Sequence, residues 1–433
     1  MTTIVVSKDY IKGLATQKIQ DKEGKLESLK IIVVFESDIS DEDKKLCEDA
    51  NLTLTTLDDL YEKGKKVAQI SSVREPTKDT CAAFSYTSGT TGDPKGVKLT
   101  HGMLIQCAYA VQKRFQKSAA GLGANPINEN DRYISYLPAA HSFEQANIAM
   151  QMISGMQGGF YRGDTTKLVD DIGILAPTLF PSVPRLCNRI YSTIKQKLEK
   201  QPDFLKKVMN YAIESKLSTL KAGGGLNHVL FDAILFKKMR VLLGGKVRVM
   251  VTGSAPIAGD VLDFLKICFS APICEGYGMT ETSAGSVITF PDDPQTGIVG
   301  GPLQNVKIKL RDIPEMGYYS TISKENPIPK GEVMMWGPSI MSGYFKNPEK
   351  TTEALTKDGW LMSGDVGAVL PNGAIKIIDR AKNIFKLSQG EYIAPEKLEN
   401  VYVKSPWVDQ IWIHGDSLQN FIVAFVVVPE KKV

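Results

Sequence analysis

The chain repeats one local pattern, in which a strand-like apolar run is followed by a loop with glycine or proline and then by a helix-like run. The run "CAAFSY" leads through a glycine-rich loop into "HGMLIQCAYAVQKRF", where apolar side chains recur at helical spacing. The same order begins again at "RYISYL", "PTLFPS" and "VRVMVTG". Alternating strands and helices are typical of parallel α/β folds, which bind ligands at the carboxyl ends of their strands. We therefore predict an α/β fold with a ligand site in these loops.

The two ends of the chain differ from this middle part. The first eighty residues alternate strand-like and charged helix-like pieces, whereas short strand-like runs such as "NVKIKLRD" predominate beyond about Gly301. We predict four parts, which are an incomplete first part of the large α/β domain (1–79), a core with the ligand site (80–300), a β-rich subdomain (301–379) and a partial α+β C-terminal domain (380–433).

Composition excludes several classes of protein. A hydrophobic content of 43% with 23% charged residues indicates a soluble globular chain of two or three domains, and we expect no nucleic-acid partner. The six cysteines form no C-x-x-C pair and the four histidines lack metal-ligand spacing, so we predict a reducing intracellular compartment and no zinc site. The longest apolar run, "FIVAFVVV", is too short to span a membrane.

The stretch "FSYTSGTTGDPKGVKLTHG" is rich in glycine, hydroxyl side chains and lysine. Backbone N–H groups in a glycine-rich turn can converge on an anion. The spacing is not that of a Walker A loop, because Gly89 and Gly92 are too close together and Lys95 follows an Asp-Pro pair. Taken by itself, such a loop is more often a connector than a phosphate site.

Its neighbours change that interpretation. "YTSGTTGDPKGV" closely resembles the phosphate-binding signature of the adenylate-forming superfamily, which includes acyl-CoA synthetases, luciferases and nonribosomal adenylation domains. Five further motifs follow in the family's order: "YLPAAHSFE", "VTGSAP", "EGYGMTET", "GWLMSGDVG" and "IDRAKNIFKLSQGEYIAPEKLENVY". The last motif, together with "PTLFPSVPRLCNRIY", is similar to eukaryotic long-chain fatty acyl-CoA synthetases in particular. The resemblance covers nearly the whole chain and implies the family's large α/β domain with a mobile C-terminal domain.

The resemblance also implies a reaction. A long-chain fatty carboxylate would attack the α-phosphorus of ATP in the presence of Mg²⁺, release pyrophosphate and form acyl-AMP. The thiol of coenzyme A would then displace AMP and give acyl-CoA. Such chemistry needs mainly charge stabilisation and positioning. The expected location is the cytoplasm or the cytosolic face of a membrane such as the endoplasmic reticulum.

Most of the site residues that the resemblance implies would contact the nucleotide. The β- and γ-phosphates would be held by Thr87, Ser88, Gly89, Thr90, Thr91, Gly92 and Lys95. The walls of the nucleotide site would be formed by Gly253, Ser254, Ala255, Pro256, Glu275, Gly276, Tyr277 and Gly278, with Tyr277 against the adenine. Thr280 would bind the α-phosphate, and Glu281 would bind the magnesium ion. Asp365 would bind the ribose hydroxyls with the assistance of Arg380.

Three further residues are implied in acyl binding and domain motion. His141 would border the acyl site near the reacting carboxylate. Lys382 would be the hinge about which the terminal domain rotates between the two half-reactions. Lys386 begins the loop "KLSQGEYIAP", which would move into the site for thioester formation with coenzyme A.

Several of these residues also have a purely structural interpretation. Glu281 suits a helix N-terminal charge, and Asp365 suits a turn. The segment 253–256 suits a tight strand-to-helix turn with Ser254 as its cap. His141 suits a helix start with a local hydrogen bond, and the two interpretations of this residue weigh about equally. The order of the motifs favours the functional interpretation of Glu281.

Positive charge is concentrated between Arg185 and Arg248, where fourteen Lys and Arg residues outnumber four Asp and Glu residues. Most of these lysines are expected on solvated helix faces. The alternative is that a subset binds an anionic lipid surface or the phosphates of coenzyme A. Peripheral contact with a membrane surface is therefore a hypothesis.

In the family, the terminal domain continues to a catalytic lysine in a threonine-rich basic motif, and this sequence has no such motif after the hinge. The first part of the large domain is also shorter in this sequence than in the family. We therefore expect a chain that is truncated at both ends and that adenylates fatty acids poorly or not at all. Two alternatives stay open. The first is an adenylating ligase for another carboxylate. The second is a catalytically silent protein that binds a nucleotide or an acyl group, or that is the partner of an intact synthetase. Acyl chain length and oligomeric state are not predicted.

Overall fold

A computed structural model describes residues 2–67, 75–87, 94–116, 126–388, 392–416 and 418–429 of the 433-residue chain. The residues fall into two compact units, Met1–Glu75 and Pro76–Val433.

The first unit is a small parallel sheet with helices. Its strands are paired in the order β1-β2-β3 and have the bounds Thr3–Val6 (β1), Ile31–Val34 (β2) and Thr53–Thr56 (β3). Its helices are Ile11–Ile19 (α1), Asp41–Asp49 (α2) and Leu57–Lys65 (α3). Side chains of Ile11, Ile32, Val34 and Cys47 form its core. The alternation predicted for this part of the chain is confirmed.

Two of these helices begin at side chains that satisfy their free backbone N–H groups. The Ser40 side chain accepts a hydrogen bond from Asp43 N at the start of α2. At the start of α3, Thr56 and Asp59 form a reciprocal capping box, in which each side chain accepts from the other's backbone N–H. The polar residues between the apolar strands thus fix where each helix begins.

A seven-stranded sheet forms the centre of the second unit, in the order β12-β11-β10-β9-β8-β6-β7. Its strands are Arg132–Ser135 (β6), Gln157–Phe160 (β7), Leu179–Ser182 (β8), Val249–Thr252 (β9), Ile273–Tyr277 (β10), Val287–Ile288 (β11) and Gly301–Pro302 (β12). The five strands from β6 to β10 pair in parallel, whereas β11 and β12 run antiparallel at one edge. The predicted parallel α/β arrangement is confirmed.

Eight helices of this unit precede or connect these strands. They are His101–Phe115 (α4), Ser142–Ser154 (α5), Leu168–Leu175 (α6), Pro184–Glu199 (α7), Asp203–Lys221 (α8), Val229–Phe231 (α9), Lys237–Arg240 (α10) and Gly259–Phe269 (α11). All side chains from Val261 to Phe269 are buried, so α11 is the centre of a core against which α7 and α8 pack. Burial on all sides explains why most of these nine residues are apolar.

The remaining elements are mainly antiparallel. A hairpin joins Cys81–Thr87 (β4) to Lys95–Thr100 (β5). A four-stranded sheet contains Lys307–Arg311 (β13), Lys330–Trp336 (β14), Leu361–Val369 (β15) and Ile375–Arg380 (β16), with the helix Pro348–Ala354 (α12) after β14. Buried Val97, Leu99, Met335 and Leu361 join the hairpin to this sheet in one apolar cluster. The β-rich character predicted beyond Gly301 is present.

The last elements are two short hairpins and a helix. They are Phe385–Lys386 (β17), Tyr392–Ile393 (β18), Pro395–Tyr402 (α13), Gln410–Gly415 (β19) and Ile422–Val427 (β20). The apolar run "FIVAFVVV" forms β20 and is largely exposed. No helix of the described residues is long and apolar enough to cross a membrane. The four-part division of the chain stays a prediction.

Candidate active site

A cavity of about 780 Å³ lies among the hairpin β4–β5, helices α4 and α5, the carboxyl ends of β9 and β10, and the start of the four-stranded sheet. Of the predicted site residues, it is lined by Thr87, Lys95, His141, Gly253, Ser254, Gly276, Tyr277, Gly278, Thr280, Glu281, Arg380 and Lys382. Twelve residues that are distant in sequence are thus brought to one place. This place is the carboxyl edge of the sheet, where ligands of such folds bind.

Glu281 lies in a short helical turn after β10, and its side chain is 6% exposed. The Tyr344 hydroxyl donates a hydrogen bond of 2.7 Å to Glu281 Oε1. Lys95 Nζ lies 5.3 Å from the centre of the Tyr344 ring. An anion, a hydroxyl and a cation therefore meet at the polar end of the cavity, and the tyrosine fixes one carboxylate oxygen.

The loop that carries Tyr344 is tied to the turn that carries Glu281. Met341 N donates to Glu281 O at 2.8 Å, and Ser283 Oγ donates to Ser339 O at 3.1 Å. On the other side, Tyr344 N donates to Thr351 Oγ1 of α12 at 2.9 Å. The start of α12 therefore sets the position of the tyrosine.

Asp365 and Arg380 are cross-strand partners on β15 and β16, and their side chains approach to 3.5 Å. The Tyr277 hydroxyl donates to Asp365 Oδ2 at 2.7 Å. Burial raises the pKa of the Asp365 carboxyl, whereas the Tyr277 hydrogen bond and the Arg380 charge act in the opposite direction. The Tyr277 pKa is raised well above its ordinary value, mainly by burial. The tyrosine is therefore a neutral donor that joins the end of β10 to the four-stranded sheet.

Lys382 lies two residues beyond Arg380 and also lines the cavity. Partial burial lowers the pKa of its ammonium group, and the positive charges of Arg380 and Lys95 lower it further. The three cations repel one another, and this repulsion does not stabilise the fold. Such a concentration of positive charge is typical of a site for a polyanion.

Backbone geometry shapes the two turns that follow β9 and β10. Ser254 has φ +74°, in the left-handed region that non-glycine residues rarely adopt. At Gly278 an added Cβ would lie 1.9 Å from Ala284 O, so no side chain fits there. These two positions allow the chain to fold closely around the cavity.

His141 makes the local hydrogen bond of its structural interpretation and also lines the cavity, so its role at the acyl site stays a prediction. It is the N-cap of α5, and its Nδ1 accepts a hydrogen bond of 3.1 Å from Phe143 N. Its side chain also lines the cavity, and burial lowers the pKa of the imidazole. Because Nδ1 is an acceptor, the neutral ring carries its proton on Nε2. His141 therefore has one N–H left to donate.

The cavity continues from this polar end into an apolar part between α4, α5 and the central sheet. The apolar part is lined by Cys107, Ala108, Val111, Phe115, Ala146, Met150, Leu179, Val287 and Leu303. Cys107, Ala108 and Phe115 are completely or almost completely buried. Helix α4 presents its apolar face here, at the i, i+3, i+4 spacing seen in the sequence.

The structure does not bring every predicted residue to this cavity. Ala255, Pro256, Glu275, Asp365 and Lys386 are not among its lining residues. Glu275 Oε1 instead accepts from Gly297 N at 3.0 Å, and burial raises its pKa to about 7. Lys386 Nζ lies 5.2 Å from the centre of the Tyr392 ring. Ser88, Gly89, Thr90, Thr91 and Gly92 lie outside the described residues, so their role stays a prediction.

Several lining residues are absent from the sequence-based prediction. Tyr344 is the main one, and only the helix start "NPEKTTEA" after it marks the region. Ser363 Oγ accepts from Asp365 N at 3.0 Å and donates to Val333 O at 2.6 Å, which fixes the backbone at Asp365. Arg311 and Glu332 pair at the other side of the cavity. The contacts of Tyr344 with Glu281, of Ser363 with Val333 and of Arg311 with Glu332 join segments that are distant in sequence, so no local pattern indicates them.

The donor set can be compared with the needs of a magnesium ion. Among the described residues, no group of three or more His, Cys, Asp or Glu side chains could enclose a metal ion. Among the described lining residues, the carboxylates are Glu281, Glu332 and Glu353, of which Glu332 pairs with Arg311 and Glu353 with Lys350. Mg²⁺ is commonly held by one or two carboxylates together with substrate phosphates and water. The residues present fit a magnesium ion that arrives with a nucleotide.

Comparison with known proteins identifies the fold family. The family described as AMP-binding enzyme matches residues 1–345. The chain is 45% identical over 381 residues to the peroxisomal long chain acyl-CoA synthetase 7 of Arabidopsis thaliana, a match that covers 87% of this chain and 52% of the relative. It is 39% identical over 430 residues to human long-chain-fatty-acid–CoA ligase 1, covering 99% and 58%. The chain thus spans little more than half the length of the curated relatives it matches.

Solved structures agree with this result. The A domain of a carboxylic acid reductase from Segniliparus rugosus, solved with AMP and a co-purified carboxylic acid, superposes with a TM-score of 0.74 at 25% identity, covering 99% of this chain and 63% of that one. O-succinylbenzoate coenzyme A synthetase from Bacillus subtilis, solved with ATP and magnesium, superposes with a TM-score of 0.64 at 22% identity, covering 96% and 72%. The predicted adenylate-forming fold is confirmed. The chain therefore belongs to the family of AMP-binding enzymes and is related over most of its length to long-chain acyl-CoA synthetases.

Proposed function

We propose that the site activates a long-chain fatty acid with ATP, forming acyl-AMP and pyrophosphate, and then transfers the acyl group to coenzyme A with release of AMP. The enzyme is accordingly an ATP-dependent acid–thiol ligase. The names of the relatives support the substrate class, and the ligands of the superposed structures support the nucleotide.

One observation carries this proposal, which is that a single cavity is polar at one end and apolar at the other. The polar end contains Glu281, Lys95, Lys382 and Arg380, and Arg380 pairs with Asp365. The apolar part runs between α4 and α5. An acyl adenylate has the same division, because a nucleotide and a hydrocarbon chain are joined at one mixed anhydride.

The polar end would bind the nucleotide. Asp365 accepts a hydrogen bond from Tyr277 and forms an ion pair with Arg380, and these contacts orient its carboxylate. A carboxylate has about four lone-pair positions, so it can also accept from two ribose hydroxyls. The ring of Tyr277 provides an apolar wall for the adenine. Ser363 holds the Asp365 backbone in place.

The reacting groups meet near Thr280 and His141, which both line the cavity. The fatty carboxylate attacks the α-phosphorus, and the bond from that phosphorus to the pyrophosphate oxygen breaks. The Nε2–H of His141 would donate to the second carboxylate oxygen and orient it, because Nδ1 is already engaged by Phe143 N. Thr280 would donate to an α-phosphate oxygen. This geometry restricts the two reactants to one orientation.

Charge is the second contribution of the protein. Lys95, Arg380 and Lys382 supply positive charge where the triphosphate would lie, and their repulsion in the free protein would be relieved by the nucleotide. A magnesium ion bound by Glu281 and the phosphates would neutralise further negative charge on the leaving pyrophosphate. Tyr344 holds Glu281 in the position that this requires.

The second half-reaction needs a thiol to approach the acyl carbonyl. We propose that the segment after Lys382 moves for this purpose, with Lys386 in the mobile loop. The thiol sulfur bonds to the acyl carbon, AMP leaves and the thiol proton is released. A location in the cytoplasm or on the cytosolic face of a membrane such as the endoplasmic reticulum belongs to the same proposal.

ATP–pyrophosphate exchange with a panel of carboxylic acids tests this function. Because we expect the chain to adenylate poorly, exchange should be slow, should depend on magnesium and should be fastest with long saturated fatty acids. Faster exchange with a small aromatic acid would contradict the substrate class and favour a ligase for another carboxylate. Nucleotide binding without exchange on any acid would contradict catalysis and favour the silent binding protein.

A further inference from the structure

Strand β15 bulges out of the four-stranded sheet just before its ion pair with β16. In the pairing of β14 with β15, the three residues 363–365 stand opposite Val333 alone. Such a bulge takes backbone groups away from their ladder partners and turns a side chain in a new direction. The last of the three residues is Asp365, and the other two line the cavity. The path of the bulge therefore decides where the Asp365 side chain lies.

Other groups replace the ladder partners that the bulge loses. Gly364 N donates to Glu332 Oε1 at 2.9 Å, and Asp365 N donates to Ser363 Oγ at 3.0 Å. Gly364 O accepts from Ala381 N at 2.9 Å, directly after β16. Gly364 has φ +74°, in the left-handed region that glycine adopts without strain. Glu332 thus supplies the acceptor that the neighbouring strand does not give to Gly364 N.

Glu332 is itself fixed by the strand on its other side. It is 5% exposed on β14, and its Oε2 forms an ion pair with Arg311 of β13. The two residues are directly opposite each other in the register of β13 and β14. Removing the cation from a nearly buried carboxylate is costly, so the pair keeps the carboxylate inside the sheet. Glu332 is therefore a rigid acceptor for the bulge.

The charge of Glu332 acts against its neighbour. Burial is the main cause that raises the pKa of the Asp365 carboxyl, and the negative charge of Glu332 raises this pKa further. A neutral side chain of the same length could accept from Gly364 N without this repulsion. The charge of Glu332 does not help Asp365 to ionise, whereas its hydrogen bond fixes the backbone next to Asp365.

We propose that Glu332 is a positioning residue that makes the site selective for the sugar of the nucleotide. It holds Gly364 N and thereby directs the remaining acceptor positions of Asp365 towards both ribose hydroxyls. This role rests on the proposed function, in which Asp365 binds the ribose. Hydrogen bonds between oxygen atoms span only about 2.5–3.0 Å, so a bulge displaced by about 1 Å would lose them.

Two substitutions separate the reach of Glu332 from its charge. Glu332→Asp keeps the charge but is shorter by one methylene group, so its carboxylate no longer reaches Gly364 N. Glu332→Gln keeps the length and one acceptor oxygen but has no charge. Its oxygen is expected to face Gly364 N, because Arg311 is half exposed and can turn to water instead. Titration calorimetry compares the affinity of each full chain for ATP and for 2′,3′-dideoxy-ATP, and no turnover is needed.

The measured quantity is the ratio of the two affinities. The unmutated chain should bind ATP at least about tenfold more tightly than the dideoxy nucleotide, because two hydrogen bonds to a carboxylate are lost together. Glu332→Gln should keep this ratio within about twofold, and Glu332→Asp should reduce it below about threefold. A ratio that Glu332→Asp leaves unchanged would contradict the positioning role. So would a ratio that falls in Glu332→Gln but not in Glu332→Asp, since charge would then matter and reach would not.

Asp365→Ala separates this role from the proposed function. If the unmutated chain binds both nucleotides equally, Asp365 does not bind the ribose and both proposals are wrong. If Asp365→Ala abolishes the preference and Glu332→Asp keeps it, only the positioning role is wrong. Met335→Ala is the matched control for stability, because Met335 is buried on the same strand in the apolar cluster with the β4–β5 hairpin. It should lower the melting temperature and leave the ratio unchanged, and an equal loss of preference would contradict a specific role of Glu332.

Hydrogen exchange gives a second test that needs no nucleotide. Amides of residues 363–365 should exchange faster in Glu332→Asp than in the unmutated chain, because Gly364 N loses its acceptor. In Glu332→Gln they should exchange as slowly as in the unmutated chain. Equal exchange in all three chains would show that Glu332 does not hold the bulge, whatever the cavity binds.

Discussion

The hydroxyl of Tyr344 donates a 2.7 Å hydrogen bond to Oε1 of Glu281, across sixty-three positions of the chain. The contact joins the turn after β10 to the loop that precedes α12. It places a neutral donor on the carboxylate that we assign to the magnesium ion, beside the ammonium group of Lys95. The order of the site therefore depends on a residue outside the glycine-rich loop.

Tyr344→Phe removes this donor and keeps the aromatic ring. A hydrogen bond to a charged group contributes about 1.5–3 kcal/mol, so we expect the affinity for magnesium–ATP to fall at least about tenfold. The KM for palmitate should be unchanged, because the apolar part of the cavity is not touched. Exchange kinetics with each substrate varied in turn separate the two effects.

Tyr133→Phe is the control for this experiment. Tyr133 is also buried, and its hydroxyl donates to Gln151 Oε1 at 3.4 Å, away from the cavity lining. It should leave both KM values unchanged. Equal losses in the two variants would show that Tyr344 acts on stability and not on Glu281.

Val111→Phe narrows the apolar part of the cavity at α4. Palmitate should bind about 5- to 150-fold more weakly, because overpacking a filled site costs about 1–3 kcal/mol. Butyrate, whose chain is too short to reach the obstruction, should bind as before. Isothermal titration with both acids provides the measurement, and Ile105→Phe on the exposed face of the same helix is the control. Similar losses for both acids would contradict our assignment of the acyl channel.

Glu275→Gln tests a residue whose pKa is raised by burial to about 7. In the unfolded chain the ordinary value is about 4.3, so between these values the folded state holds a proton that the unfolded state has lost. The stability of the unmutated protein therefore falls as the pH rises through this range, and the loss is complete above about pH 7. Glutamine still accepts from Gly297 N and carries no charge.

We expect the variant to be more stable by about 1–3 kcal/mol at pH 8 and equally stable below about pH 4. Urea denaturation at the two pH values gives these numbers. AMP affinity should be unchanged, because Glu275 does not line the cavity. A loss of AMP binding in the folded variant would instead support the sequence-based assignment of Glu275 to the nucleotide.

Substitutions of His141 distinguish its structural role as the N-cap of α5 from its proposed role at the fatty carboxylate. Asparagine is a good N-cap, whereas alanine is not, so His141→Ala should lose about 1 kcal/mol of stability and His141→Asn much less. Both variants lack the Nε2–H that we place on the fatty carboxylate, and both should slow ATP–pyrophosphate exchange. Thermal melting and exchange rates measure the two effects. Full exchange by the asparagine variant would leave the histidine with a capping role only.

The elements of the fold follow from local patterns, so the sequence predicts them well. Helix α4 begins after Thr100, whose side chain accepts from Met103 N, and its apolar face is visible as a periodicity. The Asp365–Arg380 pairing, in contrast, depends on the register of β15 and β16. Only the family resemblance indicated those two residues.

The contacts of Tyr344 and Glu275 could not be predicted at all. Each joins segments that are distant in sequence and meet only after the sheets have packed. A motif names residue types in order, but it does not say which way a side chain points. Glu275 stands in the motif "EGYGMTET" with Tyr277, yet only Tyr277 lines the cavity.

Binding of a non-hydrolysable palmitoyl-adenylate analogue, palmitoyl-sulfamoyl-adenosine, tests most directly that one cavity holds a nucleotide and an acyl chain together. Titration calorimetry should show that this analogue binds far more tightly than AMP or palmitate alone, because one molecule gains both sets of contacts. Asp365→Ala should weaken binding of the analogue at its nucleotide end, and Val111→Phe should weaken binding at its acyl end. An analogue that binds no better than AMP, and that is unaffected by Val111→Phe, would contradict the account.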